Sequence, residues 1–219
     1  MKFEHTEVWG FKHALRGMRN SKESWNKSDS EFSMAVTGED IYTIGPNDLE
    51  LAQKLIKAGE PHRKFLRQIF VSVDIAAPLY WWKEFATYKV GTVENSTSTM
   101  NRLASTPITL DRFEMDDFEK LPLFDNSSSW KNLIFDLERL RKLYNETKDK
   151  RYWKELIRLL PESWLQRRTV TMSYENVFKM IEERKGHKLT EWSKSFIEWA
   201  ESLPYAKELL FYWWVKKGD

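Results

Sequence analysis

The chain has 219 residues, which fits one folded domain, and its 41% hydrophobic and 31% charged residues are typical of a globular protein. The 35 basic and 33 acidic residues leave a net charge of +2, which argues against dedicated nucleic-acid binding and makes any phosphate site local. Without cysteine the chain forms no disulfide framework and no thiolate metal site. No apolar run approaches the ~20 residues needed to cross a bilayer, so we predict a single-domain cytoplasmic protein without a membrane partner.

The first half of the chain predicts strands before helices. A strand is expected around Phe32 to Ile44, and Gly45-Pro46 then opens a short helix that closes near Gly59. From Gln68 to Ile75 apolar residues alternate with other residues, the period of two expected for a strand with one buried face.

An aromatic helix and a polar loop follow this strand. The helix is predicted from Leu79 to about Tyr88, and the loop from Lys89 to Met100 is rich in hydroxyl side chains. Hydroxyls supply short donors and acceptors, so we interpret the loop as a binding site rather than a solvated turn. Trp81 and Trp82 are expected to pack in the core or in a subunit interface, although one of two adjacent aromatic residues should face away from the core; the alternative is that this one stacks on a ligand ring.

The second half predicts mainly helices. Helical stripes run from Trp130 to Tyr144 and from Tyr152 to Leu160, and further helices are predicted from Tyr174 to Arg184 and up to Trp214. Arg167 to Ser173 is predicted as a short strand or an extended loop. The order of elements predicts an α+β fold, with a small central antiparallel or mixed sheet flanked by helices and a mainly helical C-terminal half.

Common catalytic and metal-binding motifs are missing. The four histidines lack the spacing of a zinc site, so no metal is predicted. The nucleophile elbow, the phosphate-binding P-loop and the dinucleotide-binding glycine turn are also missing. The acidic pairs Asp116-Asp117 and Glu182-Glu183 are interpreted as solvated surface rather than as an acid and base pair.

The order of features between Pro61 and Met100 resembles flavin-dependent thymidylate synthases. In that family a comparable helix ends in a loop of pattern R-H-R-x-x-S-x-N-E-x-S-x-R-Y, which cradles the flavin and the deoxyuridine monophosphate. Without a gap, this chain reads Thr87-Tyr-Lys-x-x-Thr-x-Glu-Asn-x-Thr-x-Thr-Met100. Spacing and polarity match, whereas most residue identities differ.

The C-terminal half is similar to the same family. Leu160-Pro161 and Arg167 follow its spacing, and Ser173 to Glu175 occupy the position of an N-A-R segment. Arg184 then matches an arginine that reaches the nucleotide in the family, and Arg167 or Arg168 is a candidate to compensate for the missing arginine of the N-A-R segment.

The resemblance implies a nucleotide site, FAD as a possible cofactor and a homotetramer whose sites are shared between subunits. The candidate nucleotide-binding residues are Arg184, Arg167, Arg168, Thr97, Ser98 and Thr99. The candidate cofactor-binding residues are His62, Tyr88, Lys89, Thr92, Glu94 and Asn95.

A second resemblance is to a set of bacteriophage proteins, in which case the protein would act in the host cytoplasm. It is carried by Gly17-Met-Arg-Asn20 and Ser98-Thr-Met100. Four residues in and around the first motif are candidates for a lid over a site, with an ordered surface loop as the alternative: Arg16, Arg19, Trp25 and Asp29.

Three functional hypotheses follow. The first is an enzyme that methylates or otherwise modifies a pyrimidine nucleotide, using flavin for hydride and a folate for carbon, and therefore needing no protein nucleophile. The second is a non-catalytic phage protein that binds or sequesters nucleotides or nucleotide-derived signals, which is favoured by Thr87, Tyr88 and Thr99 where the family has arginine or histidine. The third is a structural protein whose aromatic residues form an assembly surface.

Overall fold

The computed structural model describes residues 1–35, 40–116 and 126–212. Three residues that entered the sequence-based predictions, Asp117, Trp213 and Trp214, lie outside these ranges, as does the middle of the strand predicted around Phe32 to Ile44.

The strands that the structure describes form a four-stranded antiparallel sheet and a separate hairpin. They are β1 (Lys2–Trp9), β2 (Glu31–Met34), β3 (Asp40–Thr43), β4 (Phe70–Pro78), β5 (Thr92–Ser96) and β6 (Leu165–Ser173). The strand order of the larger sheet is β1-β4-β6-β5. In the hairpin β2 pairs with β3, and Glu31 lies opposite Thr43.

Helices make up most of the remaining described chain. They are α1 (Phe11–Met18), α2 (Pro46–Lys57), α3 (Leu79–Phe85), α4 (Thr99–Arg102), α5 (Asn126–Thr147), α6 (Lys150–Leu159), α7 (Tyr174–Arg184) and α8 (Ile197–Glu201). Glu191–Phe196 and Ala206–Leu210 form π-helical turns. Within the described ranges, no helix combines the length and the apolar character that crossing a membrane requires. The predicted α+β class is confirmed.

Three predicted elements are confirmed by the structure, and for two of them the physical cause is visible. In β4 the residues at 71, 73 and 75 are fully buried while those at 70, 72 and 74 are not, which is the predicted alternation. Helix α7 begins at Tyr174 as predicted, because Ser173 and Asn176 form a reciprocal capping box. The strand β6 confirms the extended segment predicted there.

Other predictions need correction. The single strand predicted around Phe32 to Ile44 forms two paired strands instead. The predicted loop from Lys89 to Met100 contains β5 and the start of α4, because its backbone groups find partners in secondary structure despite its polar composition. Strand β1 and helix α1 were not predicted from the sequence.

The chain folds as two compact units. The first unit comprises Met1–Lys2, Ile75–Thr87 and Asn95–Thr169. Its core contains Trp164, which packs edge-on against Phe113 with ring centroids 5.4 Å apart. The buried apolar residues of this core are Leu103, Ile108, Phe113, Leu137, Leu156 and Trp164. The prediction of a single domain stays a prediction.

The second unit comprises Phe3–Asp74, Tyr88–Glu94 and Val170–Asp219. Phe11 lies at its centre, stacked on Tyr42 at 4.3 Å and edge-on to Tyr174 at 5.7 Å. A buried ion pair joins Arg63 Nε to Glu175 Oε2 at 3.0 Å. A buried charge of this kind is tolerated only because it is paired and hydrogen-bonded.

Gly10 is the position where the second unit most clearly requires glycine. Its φ is +96°, and a Cβ atom there would lie 2.1 Å from the carbonyl oxygen of Gln68. We expect Gly10→Ala to lower the free energy of unfolding by roughly 2 to 4 kcal/mol, through backbone strain and the clash together. Urea unfolding followed by circular dichroism measures this loss.

Gly186→Ala is the matched control, because a Cβ atom there meets nothing within 4 Å. It should change the free energy of unfolding by about 0.5 kcal/mol or less. Equal losses of unfolding free energy in the two variants would contradict the assignment of residue 10 as a position that requires glycine.

Candidate functional site

A cleft of about 540 Å³ in the first unit brings together basic and hydroxyl side chains. It is lined by Thr97, Ser98, Thr99, Lys2, Arg102, Arg112 and Arg167, and by the carboxylates of Asp111 and Glu114. Four of the six predicted nucleotide-binding residues therefore lie in one cleft.

Gln166 holds the hydroxyl segment in place. Its side-chain Nε2 donates to the carbonyl oxygen of Thr97 at 2.8 Å and to Oγ1 of Thr99 at 3.2 Å. The backbone N–H and Oγ1 of Thr97 both donate to the carbonyl oxygen of Arg167, at 2.9 and 3.2 Å. Ser98 caps α4 by accepting from the backbone N–H of Asn101. The segment is thus fixed to β6 at several points.

The basic side chains make the cleft locally positive. Within the described residues, Arg102 and Arg112 form no ion pair. A hydrogen bond from Thr109, with the charges of Arg112 and Lys2, lowers the pKa of Asp111 below its usual value. The cleft is therefore arranged to favour negative charge.

Arg168 has a different environment from Arg167. Its guanidinium lies 4.3 Å from the ring centre of Trp82, and its Nε donates to Oε1 of Gln166 at 3.0 Å. Arg168 is not among the residues lining the cleft.

Trp81 and Trp82 are both fully buried, so the expectation that one of them faces away from the core is wrong. The indole N–H of Trp82 donates to the carbonyl oxygen of Gln166, and Arg168 covers the ring.

A second cluster lies in the second unit and contains Arg184. The phenol of Tyr88 donates to Oε2 of Glu183 at 2.6 Å and accepts from Nε of Arg184 at 2.8 Å. The guanidinium of Arg184 lies 5.4 Å from the ring centre of Tyr88 and 5.0 Å from that of Trp192. Cation–π contacts and a hydrogen bond together hold this arginine in one orientation.

The other predicted cofactor-binding residues are more dispersed. Lys89 and Glu94 are exposed, and Oγ1 of Thr92 donates to the carbonyl oxygen of Tyr88 at 3.0 Å. His62 is exposed and lines a separate cleft of the second unit. Asn95 belongs to the first unit. The structure thus brings Tyr88 and Arg184 together, whereas the predictions assigned them to different ligands.

Several residues of these clusters were missed by the sequence analysis. Arg102 lies three residues after Thr99 and could have been found from its position at the end of the turn that Ser98 caps. Lys2 and Arg112 lie far from that segment in sequence, and no spacing pattern indicates them. Gln166, Glu183 and Trp192 were also missed.

Comparison with known proteins gives a clear result for the fold. No family model matches the chain, and no curated protein matches it. A flavin-dependent thymidylate synthase, ThyX, from Helicobacter pylori, solved in complex with FAD and dUMP, is 18% identical, with a TM-score of 0.68 over 96% of this chain and 98% of that chain. A second structure of that enzyme with FAD and dUMP gives 18% identity, a TM-score of 0.66 and coverages of 96% and 97%. The chain therefore has the fold of flavin-dependent thymidylate synthases, as the resemblance implied.

The titration of Tyr88 offers a test of the second cluster. Burial and the hydrogen bond to Glu183 raise the pKa of Tyr88 to about 12, against the opposing effect of Arg184. The neutral phenol stabilises the folded state, so its contribution is complete below the unfolded pKa of about 10 and is lost as the pH rises towards 12.

We expect the free energy of unfolding of the wild type to fall more steeply over this alkaline window than that of Tyr88→Phe. Urea unfolding of both proteins at several pH values between about 10 and 12 measures the difference in their free energies of unfolding. Groups other than Tyr88 titrate in both proteins and therefore do not contribute to this difference. If the free energy of unfolding fell equally with pH in both proteins, the assigned environment of the Tyr88 phenol would be contradicted.

Proposed function

We propose that the protein binds a pyrimidine nucleotide, with the phosphate group held in the cleft of the first unit. The observation that carries the proposal is the convergence of Arg102, Arg112, Arg167 and Lys2 with the hydroxyls of Thr97–Thr99 in one cleft. Support comes from the fold, because the Helicobacter pylori enzyme that shares it was solved with FAD and dUMP.

The chemistry of the cleft suits a phosphate monoester. Arginine presents a planar fork of donors that matches phosphate oxygens, and threonine and serine hydroxyls add short donors and acceptors. The volume of about 540 Å³ falls within the range of roughly 300–1,000 Å³ common for small-molecule sites. Because Gln166 fixes the segment from Thr97 to Thr99, little ordering entropy remains to be lost on binding.

Two further arginines have different roles in the proposal. Arg184 belongs to the second unit, where Tyr88 and Trp192 orient its guanidinium, and its contact with the nucleotide stays a prediction. Arg168 acts as a positioning residue, because it bonds the same Gln166 side chain that fixes the hydroxyl segment.

The residues that would meet a flavin fit that ligand poorly. Oγ1 of Thr87 donates to the carbonyl oxygen of Glu84 at 2.7 Å, and the phenol of Tyr88 is engaged by Glu183 and Arg184. Both side chains satisfy groups of the protein itself, and neither is the arginine or histidine of the family pattern. FAD, the homotetramer and the phage origin stay predictions, and this observation favours the candidate function of nucleotide binding without flavin chemistry.

The cleft is tested by measuring dUMP affinity with isothermal titration calorimetry. We expect Arg102→Ala and Arg112→Ala each to weaken dUMP binding about 10- to 100-fold, since a hydrogen bond to a charged group contributes roughly 1.5–3 kcal/mol. Deoxyuridine, which has no phosphate, should bind the wild type correspondingly more weakly.

Arg158→Ala is the matched control. It removes the same charge from the same unit, but its side chain pairs with Glu155 on the exposed face of α6. This variant should bind dUMP within about twofold of the wild type. The proposal fails if the wild type does not bind dUMP or if the three variants bind it equally.

Flavin binding separates the two candidate functions. A purified protein that shows a flavin absorption spectrum, or gains one with FAD, supports an enzyme of the thymidylate synthase type. A colourless protein whose melting temperature rises with dUMP but not with FAD supports the binding protein, because a ligand that prefers the native state stabilises it. We expect the second result from the contacts of Thr87 and Tyr88.

A further inference from the structure

A second basic cleft, in the second unit, has no role in the function proposed above. Its volume is about 510 Å³, and it is lined by Arg19, Lys22, Ser24, Lys27, Asn47, Glu50, Leu51 and Lys54. Arg19 belongs to the Gly17-Met-Arg-Asn20 motif and was predicted from the sequence as a candidate lid residue, with an ordered surface loop as the alternative. We name this feature the Arg19 cleft.

The guanidinium of Arg19 is buried and only partly satisfied. The residue is 4% exposed, and its Nε donates to Oδ1 of Asp48 at 2.5 Å. Its Nη1 reaches the carbonyl oxygen of Ser24 at 3.4 Å, whereas Nη2 is buried and has no acceptor within the described residues. A buried donor without a partner costs free energy, so the site is incomplete as the chain alone forms it.

Asp48 holds Arg19 in place. Besides Arg19, its carboxylate accepts from the hydroxyls of Ser28 and Ser30, both at 2.6 Å, and from the backbone N–H of Ser30. Burial alone would raise the pKa of Asp48, but these hydrogen bonds and the charge of Arg19 outweigh it and lower the pKa. The carboxylate therefore stays ionised, and the guanidinium that it anchors is held in a fixed position beside the cleft.

The charged side chains around the cleft carry an excess of positive charge, which favours binding of an anion. Asp48 balances Arg19, and Glu50 pairs with Lys54 at 2.6 Å. Lys22 and Lys27, both exposed, form no ion pair within the described residues and leave an excess of two positive charges. A phosphate monoester carries about −1.5 to −2 at neutral pH, which matches this excess.

We propose that the Arg19 cleft is a second binding site, which takes the phosphate group of a small phosphorylated molecule. Because Nη2 of Arg19 is buried in the unliganded chain, a small shift of the side chains that cover it lets it donate to the phosphate, which Lys22 and Lys27 neutralise. The rest of the cleft, next to Ser24 and Asn47, accommodates the remainder of the ligand. This site is independent of the nucleotide cleft in the first unit.

Pyrophosphate binding measured by calorimetry tests the proposal. The nucleotide cleft is first disabled by Arg102→Ala combined with Arg112→Ala, so that the measured pyrophosphate binding comes from the Arg19 cleft. In this background, Lys22→Ala combined with Lys27→Ala should weaken pyrophosphate binding about tenfold or more. Both lysines are exposed, so the folded state should survive their removal.

Lys188→Ala combined with Lys194→Ala is the matched control. Both lysines are exposed in the second unit and lie outside the lining of the cleft. Their removal lowers the net charge equally and should leave pyrophosphate affinity within about twofold. Equal weakening by the two lysine pairs would show nonspecific attraction and overturn the proposal, as would the absence of binding in the background protein.

Arg19→Lys examines the role of the guanidinium directly. Lysine keeps a positive charge opposite Asp48 but lacks the fork that presents Nη2. With circular dichroism confirming the fold, this variant should bind pyrophosphate about tenfold more weakly than the background protein. Unchanged affinity in a folded Arg19→Lys protein would contradict the assignment of Arg19 as the anchor.

Discussion

The candidate nucleotide site depends on one buried amide, the side chain of Gln166. Both ends of this amide are used: Nε2 donates to the segment from Thr97 to Thr99, and Oε1 accepts from Arg168. Because a buried amide without partners costs free energy, these bonds fix the hydroxyl segment relative to β6 in one register. The carbonyl oxygen of the same residue accepts from the indole of Trp82, so the aromatic helix α3 is tied to the same point.

The predicted ligand contacts divide between two chemically different clusters. The cleft of the first unit offers charges and hydroxyls, which are suited to an anionic group. The cluster of the second unit consists of an arginine that lies beside the edge-to-face rings of Tyr88 and Trp192, which suits a planar partner as well as an anion. The proposed function uses the charges and hydroxyls of the first unit, and a role for the Arg184 cluster stays a prediction.

Local patterns in the sequence predicted much of the fold, because they reflect local physical rules. The alternation in β4 follows from one buried face, and the start of α7 follows from the cap at Ser173. The hydroxyls of the segment from Thr97 to Thr99 and the family spacing of Arg167 after Leu160-Pro161 predicted residues that the structure places in one cleft.

The remaining features depend on contacts between distant parts of the chain. Lys2, Arg112 and Arg167 meet in one cleft although more than half the chain separates the first from the last. Arg168 was predicted beside Arg167 in the nucleotide site, but neighbouring residues of a strand point to opposite faces, and Arg168 covers Trp82 instead. That covering also explains why the expectation of an outward-facing tryptophan was wrong: a cation, rather than solvent or a ligand, occupies the ring face.

Tyr88 stands where the thymidylate synthase pattern has a histidine, and this exchange changes how the protein responds to its surroundings. A histidine gains or loses its charge near pH 6.5, within the range over which the interior of a cell varies. A phenol with a pKa of about 12, bonded to Glu183 and Arg184, keeps one protonation state throughout that range. The hydrogen bond from Arg184 to the phenol therefore does not depend on the protonation of residue 88 over that range, as it would with a histidine at this position.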